Sequence, residues 1–152
     1  MSTSLENWVS YGWLARHQTS QQEIAALLAI ADRDLAAAQL PELPPDWRLS
    51  IAYNAALQSA IAALAAAGYR AERNAQHYRA IQSLAHTVGL DSPTVDRLDS
   101  FRKKRNISSY DRPGAVSERE AEEMLALAKG IRDAVDEWLR SRRPDLLGPS
   151  MG

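Results

Sequence analysis

Apolar residues recur at three- and four-residue intervals along almost the whole chain, and no segment sustains the alternation expected of a half-buried strand. Leu5, Trp8, Val9 and Trp13 share one helical face, which predicts a short opening helix from about Leu5 to His17, stopped by Thr19 and Ser20. Ser20 with Glu23 has the spacing of a capping box, in which side chain and backbone satisfy each other's free groups at a helix start. Ile24, Leu27, Leu28, Ala31, Leu35 and Ala38 then follow as one stripe, and "PELPPD" ends that helix. Asp46 stands where it can cap a third helix, which carries Ile51, Leu57, Ile61 and Leu64 through an alanine-rich body to Gly68. Alanine on nearly every face lets neighbours approach closely from several sides, as expected of a central helix. A fourth helix is predicted with Asn74 as its cap, a stripe of Tyr78, Ile81, Leu84, Ala85 and Val88, and Gly89 as its stop. Ser92 as cap with Pro93 in the first turn starts a fifth, bearing Val95, Leu98 and Phe101. The last opens on a second capping box, Ser117 with Glu120, and runs through Ala121, Met124, Leu125, Ala128, Ile131, Val135, Trp138 and Leu139.

Connections this short favour helices that alternate in direction. The expected fold class is therefore all-α, an antiparallel up-and-down bundle of five or six helices. It forms a single domain over residues 1–143, with 144–152 as a flexible tail. A length of 152 residues, 45% of them hydrophobic and 24% charged, is consistent with one globular domain that needs no staples. The 18 Lys and Arg nearly balance the 19 Asp and Glu, so contact with nucleic acid must come from a local cluster rather than a global field. The lack of cysteine excludes a disulfide framework, a thiol nucleophile and a thiolate zinc site, and it suits a reducing cytoplasm, the expected location. "MSTSLENWVS" has no basic region before an apolar run, so it does not read as a secretory signal. The most apolar window, "IAYNAALQSAIAALAAAGY", is interrupted by Asn54, Gln58 and Ser59, so a buried helix is expected and no membrane association.

Candidate chemistry concentrates in "FRKKRNISSYDRPG", Phe101 to Gly114. At 100° per residue with Leu98 at the centre of the apolar stripe, Val95 and Phe101 flank it at about 60°, Arg105 falls about 20° from the centre and Arg102 about 40°. Lys103 and Lys104 point outward. Two arginines thus occupy positions that belong to apolar residues, where an unpaired charge is costly. Three explanations are open. The arginines snorkel to water or pair with Asp99, Asp111 or a neighbouring carboxylate; or they line a cleft between two copies of the chain and bind an anion; or they form a catalytic cluster with Asn106 and Tyr110.

The segment "RNISSY" before a Pro/Gly break, followed by the long helix "SEREAEEMLALAKGIRDAVDEWL", resembles the HEPN superfamily of small helical bundles. "SQQEIAALLAIADRDLAAA" is similar to that family's early helix and "IAYNAALQSAIAALAAAGYR" to its central one. In the family an arginine is followed by a polar residue and then, four to six positions on, a histidine, and two copies meet across a dimer to cut RNA without metal. The resemblance implies Arg105 as the arginine, Asn106 as the polar residue and Tyr110 in the histidine's place, with no histidine further along the chain. Metal-free cleavage uses the ribose 2′-hydroxyl and needs a base, an acid and cations for the phosphorane charge. Arginine supplies the last, whereas a phenol titrating near pH 10 is only about one part in a thousand ionised at pH 7. The expected function is therefore a nucleotide- or RNA-associated binding module, with Arg102, Arg105 and Asn106 as phosphate contacts and Tyr110 as an auxiliary donor. The resemblance also implies a homodimer and a nucleotidyltransferase partner in a toxin-antitoxin-like pair, with no cofactor and no metal. The alternatives are a weak or partner-activated metal-independent endoribonuclease using Arg105, Asn106 and Tyr110, and a purely structural interaction bundle.

Other polar residues read as structural. His77 and His86 lie about 180° apart on one helix, too divergent for a shared metal, and His86 suits a helix C-terminus. Asp32 and Asp34 of "DRD" diverge by about 200° and read as solvated charges with local ion pairs. Buried hydrogen bonds account for Tyr53 and Asn54, with a place on the cleft wall as the weaker alternative. Trp8 and Trp13 read as a core or dimer anchor rather than a base-stacking platform, because no basic residue interleaves with them in sequence. Ser108 and Ser109 have neither a nearby base nor a glycine elbow.

Overall fold

A computed structural model describes residues 3–110 and 115–148, with the backbone alone for Thr3 and for 107–110. It is an all-α bundle of six helices, α1 (Thr3–Ser10), α2 (Gln21–Ala37), α3 (Pro45–Ala66), α4 (Gln76–Ser83), α5 (Ser92–Tyr110) and α6 (Glu118–Arg142). A two-stranded ribbon of β1 (Leu14–Arg16) and β2 (Tyr69–Ala71) and a closing 3-10 turn (Pro144–Leu146) complete it.

The alanine-rich α3 is the central helix. Thirteen of its residues are buried, among them Leu49, Ala52, Tyr53, Ala56, Ala60 and Ala63, and it packs chiefly along α2 and α6. By length and composition it alone among the described helices could cross a membrane, yet 72% of that window is buried inside the bundle. Cross-helix pairs fix the directions. Arg48 donates to the Ala38 carbonyl and Asn54 to Asp34, so α2 and α3 are antiparallel. Arg132 grips Asp32 and Gln21 donates to the Asp145 carbonyl, so α6 is antiparallel to α2 as well. Hence α6 lies parallel to α3, and the guanidinium of Arg143 beyond its end caps the Ala66 carbonyl at 2.7 Å. This departs from strict alternation, which would set α6 antiparallel to α3 across the intervening α4 and α5.

Several helix boundaries differ from the sequence expectation. The opening helix stops at Ser10 rather than His17. Gly12 takes φ +79°, a turn open to glycine, and the chain leaves as β1 to pair antiparallel with β2, Leu14 facing Ala71 and Arg16 facing Tyr69. Glu6 on α1 accepts hydrogen bonds from Tyr69 and Arg16, which together hold its carboxyl below the usual range and tie α1 to the ribbon. Leu5, Leu14 and Leu64 form a small apolar cluster beneath it. Ser20 caps α2 by accepting from the Glu23 amide at 3.1 Å, but the Glu23 carboxylate turns to Thr19 and His17, so the box is half made. Pro44 and not Asp46 precedes α3. Asp91, rather than Ser92, caps α5, accepting from the Thr94 amide at 3.2 Å. The box at Ser117 and Glu120 is complete in both directions.

Pro144–Leu146, within the expected tail, form the closing 3-10 turn. Leu146 is buried, and the Arg143–Asp145 pair at 2.9 Å fixes the turn against α2 and α6; residues 149–152 lie outside the described residues. At the start of α4 the cap is Ala75 rather than Asn74, with φ +57°. For a residue with a Cβ this left-handed conformation costs roughly 1 kcal/mol or more, and it turns the chain so that His77 and Tyr78 face α5.

Candidate functional site

On α5 the burial follows the helical phasing. Val95, Leu98 and Phe101 are buried against the core, and Arg102 and Arg105 are half-buried beside them. Arg102 Nε donates to Asp99 Oδ1 at 2.7 Å, and Lys103 Nζ stands 3.6 Å from the other carboxylate oxygen. Asp99 itself is only 8% exposed, so it is a buried anion that needs these cations. Pairing within the helix therefore accounts for part of Arg102. Arg105 sits with its guanidinium carbon 5.3 Å from the centroid of the Tyr53 ring, and Arg102 5.6 Å from that of Tyr78. Lys104, expected outside, is half-buried and pairs with Glu120 at 3.3 Å.

Arg102 also lines an open cleft of about 450 Å³ whose other wall is the start of α4, with Arg73, Ala75, Gln76, His77 and Tyr78. His77 is the residue that sequence reasoning missed. Its side chain is largely exposed, and partial desolvation together with the nearby charges of Arg105 and Arg102 lowers its pKa below the ordinary histidine value. Tyr53, fully buried on α3, is pushed up to about 12 by burial, partly offset by Arg105 and Arg102, with Asp99 acting the other way. Its hydroxyl has no hydrogen-bond partner among the described residues. Such a group is ordinarily satisfied. Asn54 does make the buried bond expected of it, to Asp34 at 2.7 Å, whereas Tyr53 lies beside the arginines.

Of the residues singled out by sequence, Arg102 and Arg105 come together. Asn106 is exposed one residue further along the same helix. The side chains of Ser108, Ser109 and Tyr110, and all of Asp111, lie outside the described residues. His86 follows the end of α4 and packs edge-on against Trp8 at 5.2 Å rather than complementing a helix terminus. Asp34 is buried between Arg33 and Asn54, not solvated, while Asp32 is exposed and paired with Arg132. Among the described residues no three His, Asp or Glu converge as a metal site would require.

A larger groove of about 690 Å³ between α2, α6 and the closing turn is less suited to an anion. Its Arg132 is held by Asp32 and Asp136, and its Arg140 by Asp136.

The arrangement at α4 and α5 can hold a phosphate between guanidinium groups and place an imidazole beside it. An anion there would reverse the electrostatic bias on His77. In the empty cleft its depressed pKa disfavours the proton, and a bound dianion favours it, so binding takes up a proton. Affinity for inorganic phosphate is then expected to rise as pH falls from about 8 to about 5, after allowance for phosphate's own ionisation. Calorimetric titration of the native chain and of His77→Gln checks this, the variant being expected to lose the added pH dependence.

Fold and site together define an all-α bundle with an open cleft that brings Arg73 and Arg102 beside His77 and Tyr78. No protein-family model, no curated protein and no solved structure matches the chain.

Proposed function

We propose that this chain is a HEPN-like binding module for the phosphate of a nucleotide or an RNA, with Arg102, Arg105 and Asn106 of α5 as the phosphate contacts beside the α4–α5 cleft. The observation that carries this reading is the convergence of Arg102, Arg73 and His77 about one open cleft, with the charge of Arg105 near enough to act on His77. Asp99 offsets Arg102 and Lys103, but no carboxylate among the described residues forms an ion pair with Arg73, so the cleft keeps an excess of positive charge. Planar guanidinium groups take phosphate oxygens in pairs, which a point charge does not. The module is proposed to act as a homodimer, with a nucleotidyltransferase-type partner in a toxin-antitoxin-like pair.

His77 favours a second reading, metal-independent RNA cleavage. In it the imidazole takes the proton from the 2′-hydroxyl, that oxygen attacks phosphorus, and the arginines hold the phosphorane charge. The bond to the 5′-oxygen then breaks as that oxygen receives a proton, leaving a 2′,3′-cyclic phosphate and a 5′-hydroxyl.

Incubating the purified chain with labelled RNA, with and without a chelator, separates the readings. Binding without cleavage supports the module. Cleavage that persists in chelator and disappears in both Arg105→Ala and His77→Gln supports the nuclease. Failure to retain either RNA or inorganic phosphate would leave only a structural interaction bundle.

A further inference from the structure

In sequence no cation interleaves with the tryptophans, but in space one does. The guanidinium carbon of Arg79 lies 3.5 Å from the centroid of the Trp13 ring and 5.3 Å from that of Tyr78. Tyr11 packs against Trp13 at 4.9 Å, and Arg102 follows Tyr78 at 5.6 Å. Tyr11, Trp13, Arg79, Tyr78 and Arg102 thus form one contiguous series of two rings, a guanidinium, a ring and a second guanidinium that runs from the turn before β1 to the phosphate cleft. Sequence could not reveal it, because β1 and α4 are brought together only by the pairing of β1 with β2.

Of the row's two arginines, Arg102 is paired with Asp99, and Arg79 has no ion pair among the described residues. Most of the chain's surface arginines are held by carboxylates, as Arg16, Arg97, Arg119, Arg132, Arg140 and Arg143 are. Arg79 and Arg73 have no ion-pair partner among the described residues, and Arg79 Nε is buried without a hydrogen-bond partner among them. A guanidinium between two rings with its charge uncompensated is poised for an external anion. Tyr11, at the far end, is 60% exposed, so its ring is accessible to a ligand.

We infer that this row is a binding track for single-stranded nucleic acid, its bases stacking on the ring faces of Tyr11, Trp13 and Tyr78 that Arg79 does not cover while successive phosphates pass Arg79 and Arg73 toward Arg102. Rings and cations side by side suit the bases and phosphates of an unpaired strand. A duplex is a poor fit, since its bases are already stacked on one another. A mononucleotide would use only the cleft end. The inference rests on the phosphate reading of that cleft and names the class of ligand that fills it.

The test compares fluorescently labelled single strands of about ten nucleotides, the same sequences as duplex, and inorganic phosphate. The native chain is expected to bind the single strands more tightly than phosphate or duplex, with an affinity that falls as salt rises. Tyr11→Ala and Trp13→Ala should each weaken single-strand binding roughly five- to a hundredfold, the range for one lost stacking partner, and leave phosphate binding unchanged. Trp13→Phe should restore part of the loss. Because Tyr11 is exposed, its variant reports on the track even where Trp13→Ala fails to fold. Tighter binding of RNA than of DNA assigns the strand as RNA and the reverse as DNA; either supports the track. The track is overturned if phosphate still binds through Arg102 but Tyr11→Ala leaves single-strand affinity intact, or if duplex binds equally well. If the native chain binds neither phosphate nor strand, the cleft reading falls and the track with it.

Discussion

Replacing Arg105 by alanine is expected to weaken phosphate and RNA binding by about ten- to a hundredfold. A hydrogen bond to an ionised partner is worth about 1.5–3 kcal/mol, and Arg105 presents two parallel donors to a phosphate. Arg105→Lys separates two contributions. It keeps the charge and loses the fork, so it should recover only part of the affinity. The dependence of log affinity on log salt should become shallower by about one in Arg105→Ala. Arg102 is the less clean position. Its Nε bond satisfies Asp99, which is nearly buried, so Arg102→Ala leaves a carboxylate with only Lys103, 3.6 Å away, and mixes a stability loss with a binding loss. Titration of inorganic phosphate and labelled RNA, alongside a denaturant melt, distinguishes the two kinds of loss.

How far the sequence was legible follows from the range of the forces involved. Helix starts set by contacts three residues apart were readable, and the complete box at Ser117 and Glu120 is the plainest case. The central place of α3 was readable because alanine permits close approach from several sides at once. Arg102 and Arg105 were readable as anomalies because helical phasing is local. The ribbon was not. Three residues of β1 carry no measurable alternation, and their pairing with Tyr69–Ala71 depends on a turn at Gly12 and on Glu6 reaching back to Arg16 and Tyr69. His77 was hidden for a related reason: its relation to the arginines exists only once Ala75 has turned the chain and α4 has packed on α5. The familiar spacing drew attention to Tyr110 along the chain, whereas the histidine beside the arginines comes from an earlier helix.

Leu98→Ala should have the opposite profile to Arg105→Ala, a loss of about 2–5 kcal/mol in stability with the phosphate contacts left in place. Leu98 has no exposed surface and lies at the centre of the stripe that seats α5, flanked by buried Val95 and Phe101. Removing its side chain leaves a cavity that a helix pinned by its Asp91 cap and by the Arg97–Glu123 and Lys104–Glu120 pairs can close only in part. The native chain should therefore unfold at a markedly higher denaturant concentration than the variant, with a similar slope if the unfolded states are alike. Below the transition, the folded fraction of Leu98→Ala should bind inorganic phosphate with close to native affinity. A parallel fall in affinity within that folded fraction would mean that the seat of α5 and its phosphate groups are one unit. One stripe of α5 carries both roles in adjacent positions, apolar at Leu98 and cationic at Arg102 and Arg105. The two substitutions test whether packing sets only the position of the arginines or also their geometry.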